Sequence, residues 1–280
     1  MEHYISQELI QHFREQLAEE EKSKATIEKY MRDITAFVRW LGADRSVQKE
    51  RVILYKNYLV ENYAVASVNS ILAAINSFFK ELGWYDCVVK AVKVQRTAFR
   101  DQERELTKEE YYRLLKAAKR KGNERLYYLM QTICSTGIRV SELRFITAEA
   151  VYAGRAQVSL KGKTRTVLLP SDLCRELKRY IRRRGISSGS VFITATGRPM
   201  DRTNILHDMK LLCQEAKVDR KKVFPHNLRH LFACTYYQVK KDITHLADIL
   251  GHASINTTRI YTLTSGEEQV RQMGRLGLVI

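Results

Sequence analysis

The amino-acid sequence predicts a mainly α-helical protein with a small antiparallel β-sheet, divided into two domains. Apolar residues recur at helical spacing along most of the 280 residues, and one pair of short segments alternates like two β-strands. Proline and glycine are scarce, at 3 and 13 residues, so long irregular stretches are not expected. A chain of this length has room for two ordinary domains. The basic, weakly periodic stretch 88–105 is predicted to link them.

Residues 1–87 are predicted to form a small helical bundle. Ser6 and Ser23 stand where they can cap its first two helices. The third helix is predicted over about 46–63 and the fourth over about 67–83, because their apolar residues repeat at helical spacing. The loops between these segments are short, which is typical of packed helices that are neighbours in the chain.

Residues 106–280 are predicted to combine helices with one β-hairpin. Thr107 and Glu110 have the spacing of a capping box at the start of a helix. The alternating segments 155–160 and 164–169 predict an antiparallel hairpin. The remaining predicted elements are a helix over about 123–136, a short helix from Arg139, a short strand at 190–194, and helices over about 171–184, 201–216, 226–240, 242–250, 254–262 and 266–274.

The positive charge lies entirely in the C-terminal part of the chain. Residues 1–105 hold 16 Lys and Arg against 16 Asp and Glu, whereas residues 106–280 hold 32 against 15. The second part therefore carries the whole net charge of +17. A surplus of positive charge that is confined to one part of the chain favours a polyanionic partner, and nucleic acid is the expected one.

Several features indicate a cytoplasmic protein. No apolar run reaches the length of a membrane span, and the first residues lack the basic and apolar regions of a secretion signal. The five cysteines are odd in number and widely spaced, so disulfides and a Cys-x-x-Cys metal site are not expected. Reduced, mostly buried cysteines in a cytoplasm are therefore expected.

Two arginine motifs stand at predicted helix starts. In TGIRVSEL, Glu142 follows Arg139 by three residues and can hold its guanidinium group. In HNLRH, Pro225 precedes a helix start that carries His226 and Arg229. A guanidinium group binds two phosphate oxygens at once and keeps its charge, so paired arginines indicate chemistry on a phosphodiester.

The histidines also fit other interpretations, namely a zinc site or a packed position. His226 and His230 have the spacing of a zinc half-site, but His245 is the only loose candidate for a third ligand, so no metal is expected. His230 is expected to be packed and hydrogen-bonded. Gly251 is predicted to end a helix in the left-handed conformation and to leave His252 in the following turn.

Tyr261 completes an ordered series. The motifs TGIRVSEL, HNLRH, LGH and Thr-x-x-Tyr occur in this order and resemble the signature of the tyrosine recombinase (phage integrase) family, especially its Xer-like and integrative-element members. The resemblance covers the whole chain. Residues 1–87 resemble the SAM-like core-binding domain and residues 106–280 the catalytic domain, with the linker at 88–105. It implies a site-specific recombinase that cleaves and rejoins DNA through a covalent 3′-phosphotyrosyl intermediate, without ATP, metal or cofactor.

The resemblance also implies a role for each motif residue. Tyr261 would attack the phosphorus, and His226 would accept the proton of its hydroxyl group. Arg139 and Arg229 would hold the non-bridging oxygens, and His252 would donate a hydrogen bond to the same group.

Further residues would support this set. Glu142 would orient Arg139, and His230 would pack close by. In the family a lysine on a β-hairpin turn protonates the leaving 5′-oxygen. Here Lys161 falls at the start of such a turn, with Lys163 as the alternative.

The resemblance implies double-stranded DNA, clamped between the two domains, as the partner. It also implies a bacterial protein that joins the nucleoid when it binds DNA. The chain is expected to form a tetramer on DNA, with a C-terminal tail that either docks on a neighbour or folds onto its own domain. Contacts to DNA outside the site are expected at Thr26, Tyr30, Arg32, Lys93, Arg96, Arg165 and Arg259.

Two other functions use the same kind of scaffold. A DNA-binding regulator that does not cleave is disfavoured by the complete set of catalytic residue types. A relaxing enzyme of the type IB topoisomerase kind shares the chemistry, but its members are usually larger.

Overall fold

The computed structural model describes residues 2–93, 102–160, 162–262, 270–271 and 273–276. The chain divides into two compact units, Met1–Arg96 and Thr97–Ile280. No helix in the described part is long and apolar enough to cross a membrane.

The described part of the first unit is a bundle of four helices with a two-stranded antiparallel sheet. The sheet pairs β1 (His3–Tyr4) with β2 (Ser46–Val47). The sequence did not predict it, because strands of two residues are too short to show alternation. This pairing also explains why the third helix begins at Lys49 rather than near residue 46. The helices are α1 (Gln7–Glu19), α2 (Lys24–Leu41), α3 (Lys49–Asn62) and α4 (Val65–Glu81).

Phenylalanine rings from three helices form the centre of this unit. Phe13 and Phe78 meet edge to face with ring centroids 5.3 Å apart, and Phe37 meets Phe79 in the same way at 6.0 Å. The predicted caps are confirmed at the helix starts, where the hydroxyl oxygens of Ser6 and Ser23 accept backbone N–H groups. Local capping and apolar periodicity therefore agree here.

The first part of the predicted linker packs on the first unit. Val89 and Val92 each exchange backbone hydrogen bonds with the side-chain amides of Asn76 and Asn69, at 2.8–3.0 Å. Residues 94–101 lie outside the described residues, and Arg96 lies with them.

The second unit is built around α6, which packs against α5, α8 and α11. Leu129, Met130 and Ile133 of α6 are fully buried in its core. The helices of this unit are α5 (Lys108–Arg120), α6 (Glu124–Thr136), α7 (Ala148–Ala153), α8 (Ser171–Arg184), α9 (Arg202–Lys210), α10 (Cys213–Ala216), α11 (Pro225–Lys240), α12 (Ile243–Leu250) and α13 (Ile255–Thr258), with 3-10 turns that include Val140–Phe145 and Arg259–Tyr261.

Most predicted elements of this unit are confirmed, including the capping box of Thr107 and Glu110. The short helix predicted from Arg139 is the 3-10 turn Val140–Phe145, and the helix predicted over 266–274 lies partly outside the described residues. Three further predictions need correction. The helix predicted over 201–216 is interrupted, because the N–H of Leu212 bonds back to Met209 in a tighter turn. The strand predicted at 190–194 is reduced to isolated bridges, and the segment 254–262 is a short helix followed by a 3-10 turn.

The β-hairpin consists of β3 (Arg155–Leu160) and β4 (Lys163–Leu168). Leu160 pairs with Lys163, so the connection is one residue shorter than predicted. Lys161 lies outside the described residues, as does the side chain of Lys163. The helical content and the two small antiparallel sheets of the described residues confirm the predicted fold class.

Candidate active site

The guanidinium groups of Arg139, Arg165 and Arg229 converge on the carboxyl end of α12. Carbonyl groups at this end of a helix have no partner within the helix and carry partial negative charge, so they attract cations. Each arginine takes a different one of three consecutive carbonyl oxygens: Arg165 donates to Ile249 (2.7 Å), Arg229 to Leu250 (2.8 Å) and Arg139 to Gly251 (2.8 Å).

Glu142 joins two of these arginines. Its buried carboxylate accepts bonds from the side chains of Arg139 (2.9 Å) and Arg165 (2.7 Å), and from the backbone N–H of Arg139. Burial alone would raise the pKa of Glu142, but the hydrogen bonds from Arg165 and Arg139 and the charge of Arg165 outweigh it and lower the pKa. The carboxylate is therefore ionised at neutral pH and holds both guanidinium groups.

Arg229 is the most deeply buried of the three, with 2% of its surface exposed. It donates to the carbonyls of Gly137 and Leu250 and to Nε2 of His252. Burial first, and the charge of Arg139 second, lower the pKa of Arg229 to about 10, so it stays charged at neutral pH. Gly137 lets the helix that carries Arg229 pack closely against it. Its φ is +64°, and a Cβ there would lie 2.5 Å from Phe232 of the same helix, α11.

His252 is a neutral histidine whose ring proton lies on Nδ1. A guanidinium group can only donate, so Nε2 of His252 accepts from Arg229 at 3.0 Å and the proton lies on Nδ1. Nδ1 then donates to the hydroxyl oxygen of buried Thr258 at 2.8 Å. Burial, followed by the charges of the nearby arginines, lowers the pKa of His252 to about 4.

Tyr261 packs among apolar side chains beside Arg229, which with Arg139 forms the arginine pair of this site. Only 3% of its surface is exposed. Its ring stacks on His252 (6.3 Å between centroids) and meets the ring of His230 edge to face (5.0 Å). Burial raises the pKa of Tyr261, while the charge and hydrogen bond of Arg229 act in the opposite direction. The phenol is therefore protonated at neutral pH. The other buried residues of this cluster are Ala233, Cys234, Leu246 and Leu250.

A cavity of about 490 Å³ opens beside the arginine pair. The side chain of His226 is exposed at its mouth, yet the surrounding walls remove enough solvent to lower its pKa, and Arg229, Arg202 and Arg139 add to this effect. A neutral histidine at this position can accept a proton. The charged side chains that line the cavity are Arg139, Arg202, Lys210 and Arg229.

The structure thus brings Arg139, Glu142, Arg229, His252 and Tyr261 together, with His226 at the cavity. His230 packs behind the tyrosine, with Nε2 3.6 Å from a carboxylate oxygen of Glu105 and Nδ1 3.4 Å from Cys234. Sequence reasoning missed Arg202 and Lys210. They belong to no motif, and only the charge surplus pointed to them.

The residues expected to contact DNA outside the site differ in how exposed they are and in which protein groups they contact. Arg32, Lys93 and Arg259 are exposed. Thr26 is tied to the cap of α2 through Ser23 (2.8 Å), and Tyr30 stacks on Phe13. Arg165 differs from the expectation, because both terminal nitrogens donate to protein groups and 18% of its side chain is exposed.

The fold is mainly helical, and the site brings two guanidinium groups to one cavity beside a buried tyrosine. The chain belongs to the phage integrase family of tyrosine recombinases: the family model matches residues 104–268, and the model of that family's N-terminal SAM-like domain matches residues 9–83. The match confirms the resemblance drawn from the motifs.

The chain is similar to recombinases over nearly its whole length. Tyrosine recombinase XerA of Pyrococcus furiosus is 27% identical over 282 residues, which cover 98% of this chain and 96% of the relative. A lambda integrase dimer bound to a COC′ core site has a TM-score of 0.74 at 18% identity, covering 91% of this chain and 94% of that one. A lambda integrase tetramer bound to a Holliday junction has a TM-score of 0.73 at 18% identity, covering 91% and 76%. At such identities the two structures show the shared fold.

Proposed function

We propose that this chain is a site-specific DNA recombinase with Tyr261 as its nucleophile. Residues 1–87 serve as the core-binding domain and residues 106–280 as the catalytic domain. The observation that carries the proposal is the convergence of Arg139 and Arg229 on one cavity, with Tyr261 packed beside Arg229.

The arginine pair supplies the charge that the reaction needs. A phosphodiester in the cavity places its non-bridging oxygens against Arg139 and Arg229, which neutralise the negative charge that grows in the transition state. Removal of one such donor typically costs about 3–4 kcal/mol in other enzymes that stabilise an oxyanion. Both guanidinium groups are held by backbone carbonyls, so little reorganisation is needed when the substrate binds.

The chemical step conserves the phosphodiester bond. The hydroxyl oxygen of Tyr261 bonds to phosphorus, the bond to the 5′-oxygen breaks, and the product is a 3′-phosphotyrosyl enzyme with a free 5′-hydroxyl strand. The reverse reaction with another 5′-hydroxyl strand completes the exchange. Because one ester replaces another, no nucleotide hydrolysis is required.

Two protons move in this step. His226 accepts the phenolic proton, since its lowered pKa leaves it neutral at physiological pH. The lysine of the hairpin turn, Lys161 or Lys163, gives a proton to the leaving 5′-oxygen. A bound phosphate adds negative charge beside His252, which favours the protonated ring, and Nε2 can then donate to a phosphate oxygen instead of accepting from Arg229.

The substrate proposed is a double-stranded recombination site. Its phosphates are matched by the +17 surplus of the second part of the chain, including Arg202, Lys210 and Arg259. Thr26, Tyr30, Arg32 and Lys93 are the proposed contacts from the first unit. We propose that the reaction takes place in the cytoplasm of a bacterial cell, where the protein joins the nucleoid when it binds DNA.

Assembly into a tetramer on DNA is proposed to use the C-terminal tail. Val270, Met273 and Leu276 are exposed apolar residues spaced by three. A mostly apolar cavity of about 530 Å³ on the second unit can accept such a segment from another copy; its lining includes Tyr111, Leu173, Leu231, Phe232 and Val239.

The tail proposal is tested with DNA four-way junctions on native gels. Met273→Asp should stop tetramer formation, whereas Arg271→Asp, at an exposed neighbouring position, should not. If Met273→Asp forms tetramers but melts at a lower temperature, the tail folds onto its own domain instead.

The nucleophile is tested by covalent trapping. A pool of randomised duplexes, nicked so that the freed strand end diffuses away, should leave a protein–DNA adduct that survives denaturation, and sequencing the trapped DNA reveals the site. Tyr261→Phe should give no adduct. Tyr180→Phe is the matched control, because Tyr180 is equally buried, at 2% exposed, and packs against Tyr128. An adduct with Tyr261→Phe would show that the nucleophile is wrong.

A further inference from the structure

Arg165 connects three separate parts of the catalytic unit. It lies on β4 of the hairpin, and its guanidinium group leaves the hairpin to bind two other elements. One terminal nitrogen donates to Glu142 at 2.7 Å, in the 3-10 turn that follows Arg139. The other donates to the carbonyl of Ile249 at 2.7 Å, at the end of α12.

The stem of Arg165 is held as closely as its charged end. A Cβ atom on Gly251 would lie 2.5 Å from Cδ and 2.8 Å from Nε of Arg165, so the arginine fills the space that a side chain there would need. Few other conformations of the side chain are compatible with both hydrogen bonds and this contact. Arg165 therefore fixes the position of β4 relative to the end of α12.

Arg165 supports the hairpin close to its turn. The base of the hairpin packs in the core through Ala156, Val158 and Val167, and Arg165, which pairs with Val158, stands between this base and the connection from Leu160 to Lys163. Arg165 stands two residues beyond Lys163, about 7 Å along the strand. Glu142 is shared by Arg165 and Arg139, so the hairpin and the phosphate-binding arginine are positioned by the same carboxylate.

We infer that Arg165 is a positioning residue that holds the lysine-bearing hairpin against the arginine pair, and that it acts on protonation of the leaving group rather than on DNA binding. The inference rests on the proposed function, in which a lysine of this hairpin protonates the 5′-oxygen. A direct contact of Arg165 with DNA is disfavoured, because its terminal nitrogens are engaged within the protein.

The experiment compares two DNA substrates that differ in one atom. In the first the leaving atom is the ordinary 5′-oxygen, and in the second it is a bridging 5′-sulfur. A thiol is far more acidic than an alcohol, so the sulfur leaves without a proton donor. The defect of a variant that only misplaces the proton donor should disappear on the sulfur substrate.

Arg165→Lys keeps the charge but cannot span both acceptors. It should cleave the oxygen substrate about 100-fold more slowly, as expected for a catalytic group displaced by about 1 Å, and the sulfur substrate at nearly the normal rate. Arg155→Lys, an exposed arginine at the other end of the hairpin, is the matched control and should leave both rates unchanged. Glu142→Gln should be slow on both substrates, because Arg139 also loses its partner.

Each other outcome overturns the inference. Equal losses on the two substrates would show that Arg165 acts through the arginine pair, and normal rates on both would show that it has no role. Weakened DNA binding would make it a DNA contact. If Arg165→Lys and a second variant, Arg165→Gln, both fail to fold, the residue is part of the fold alone.

Lysine variants separate this inference from the proposed function. Lys161→Ala or Lys163→Ala, whichever removes the proton donor, should recover on the sulfur substrate. Recovery of that variant without recovery of Arg165→Lys overturns the inference and leaves the proposed function standing. If neither lysine variant recovers, the lysine role in the proposed function is wrong.

Discussion

Nε2 of His252 accepts a hydrogen bond from Arg229 at 3.0 Å, which couples the protonation of the histidine to the stability of the fold. The bond exists only while this nitrogen carries no proton, since arginine cannot accept. Protonation of His252 would place a second positive charge against a buried guanidinium group. Burial first, and the charges of Arg229 and the neighbouring arginines second, lower the pKa of His252 to about 4.

The protein should therefore lose stability as the pH falls from about 6.5 to about 4. In this window the unfolded chain binds a proton at His252, with its ordinary pKa of 6.5, whereas the folded chain does not. His252→Gln removes this titration, and its side-chain oxygen can still accept from Arg229. Between pH 7 and pH 5, the melting temperature of the variant should fall less than that of the original protein.

The melting temperature of His252→Gln should still fall with pH, though less steeply. The pKa of His226 is also lowered, so it contributes in the same direction. His12→Gln, at an exposed position, serves as the control and should show the original pH dependence. An equal fall for His252→Gln and the original protein would contradict the assigned role of the bond.

Arg229 and Arg139 should differ in their effect on stability. Arg229→Ala leaves the buried carbonyls of Gly137 and Leu250 without a donor, which should lower the free energy of unfolding by about 2–4 kcal/mol. Arg139 is 38% exposed, and its partner Glu142 keeps Arg165, so Arg139→Ala should cost about 1 kcal/mol. Urea unfolding measures both values. Similar losses in the two variants would contradict this difference in burial.

Gly251→Ala and Gly154→Ala form a matched pair. Both glycines end a helix with positive φ, +62° and +71°, so both substitutions incur a backbone cost of about 1–2 kcal/mol. A Cβ at Gly154 meets nothing within 4 Å, whereas one at Gly251 lies 2.5 Å from Arg165. Gly251→Ala should therefore be the more destabilising and should slow cleavage, while Gly154→Ala keeps its rate. Equal effects in unfolding and cleavage assays would mean that Arg165 yields without consequence.

The sequence predicted the parts of this molecule that depend on local spacing. The capping box at Thr107 and the left-handed end at Gly251 are set by neighbouring residues, and the structure confirms both. The positions of Arg139 and Arg229 could be read from motifs. The strands β1 and β2 could not, because two-residue strands are defined only by pairing across more than 40 residues.

Arg165 shows the same limit within the site. Its acceptor at Ile249 lies 84 residues along the chain, and no local pattern brings the two together. A basic residue on a hairpin of a basic domain is typical of a DNA contact, and Arg165 was therefore predicted to be one. Arg202 and Lys210 were missed for the converse reason, since their place at the cavity depends on how α9 packs.

Binding to DNA should weaken steeply with salt, and Arg202 should account for a measurable part of the slope. Each phosphate that a cation neutralises releases counterions and contributes about one log unit of affinity per log unit of salt. Arg202 lines the cavity, so Arg202→Gln should reduce the slope by about 1.

Arg120→Gln is the control, because Arg120 is exposed, lies outside the cavity and pairs with Glu215 at 3.9 Å. Fluorescence anisotropy on a trapped site over a salt series gives both slopes. A flat response of the original protein would show that the positive surplus does not contact DNA, and equal slopes for Arg202→Gln and Arg120→Gln would remove Arg202 from the phosphate contacts.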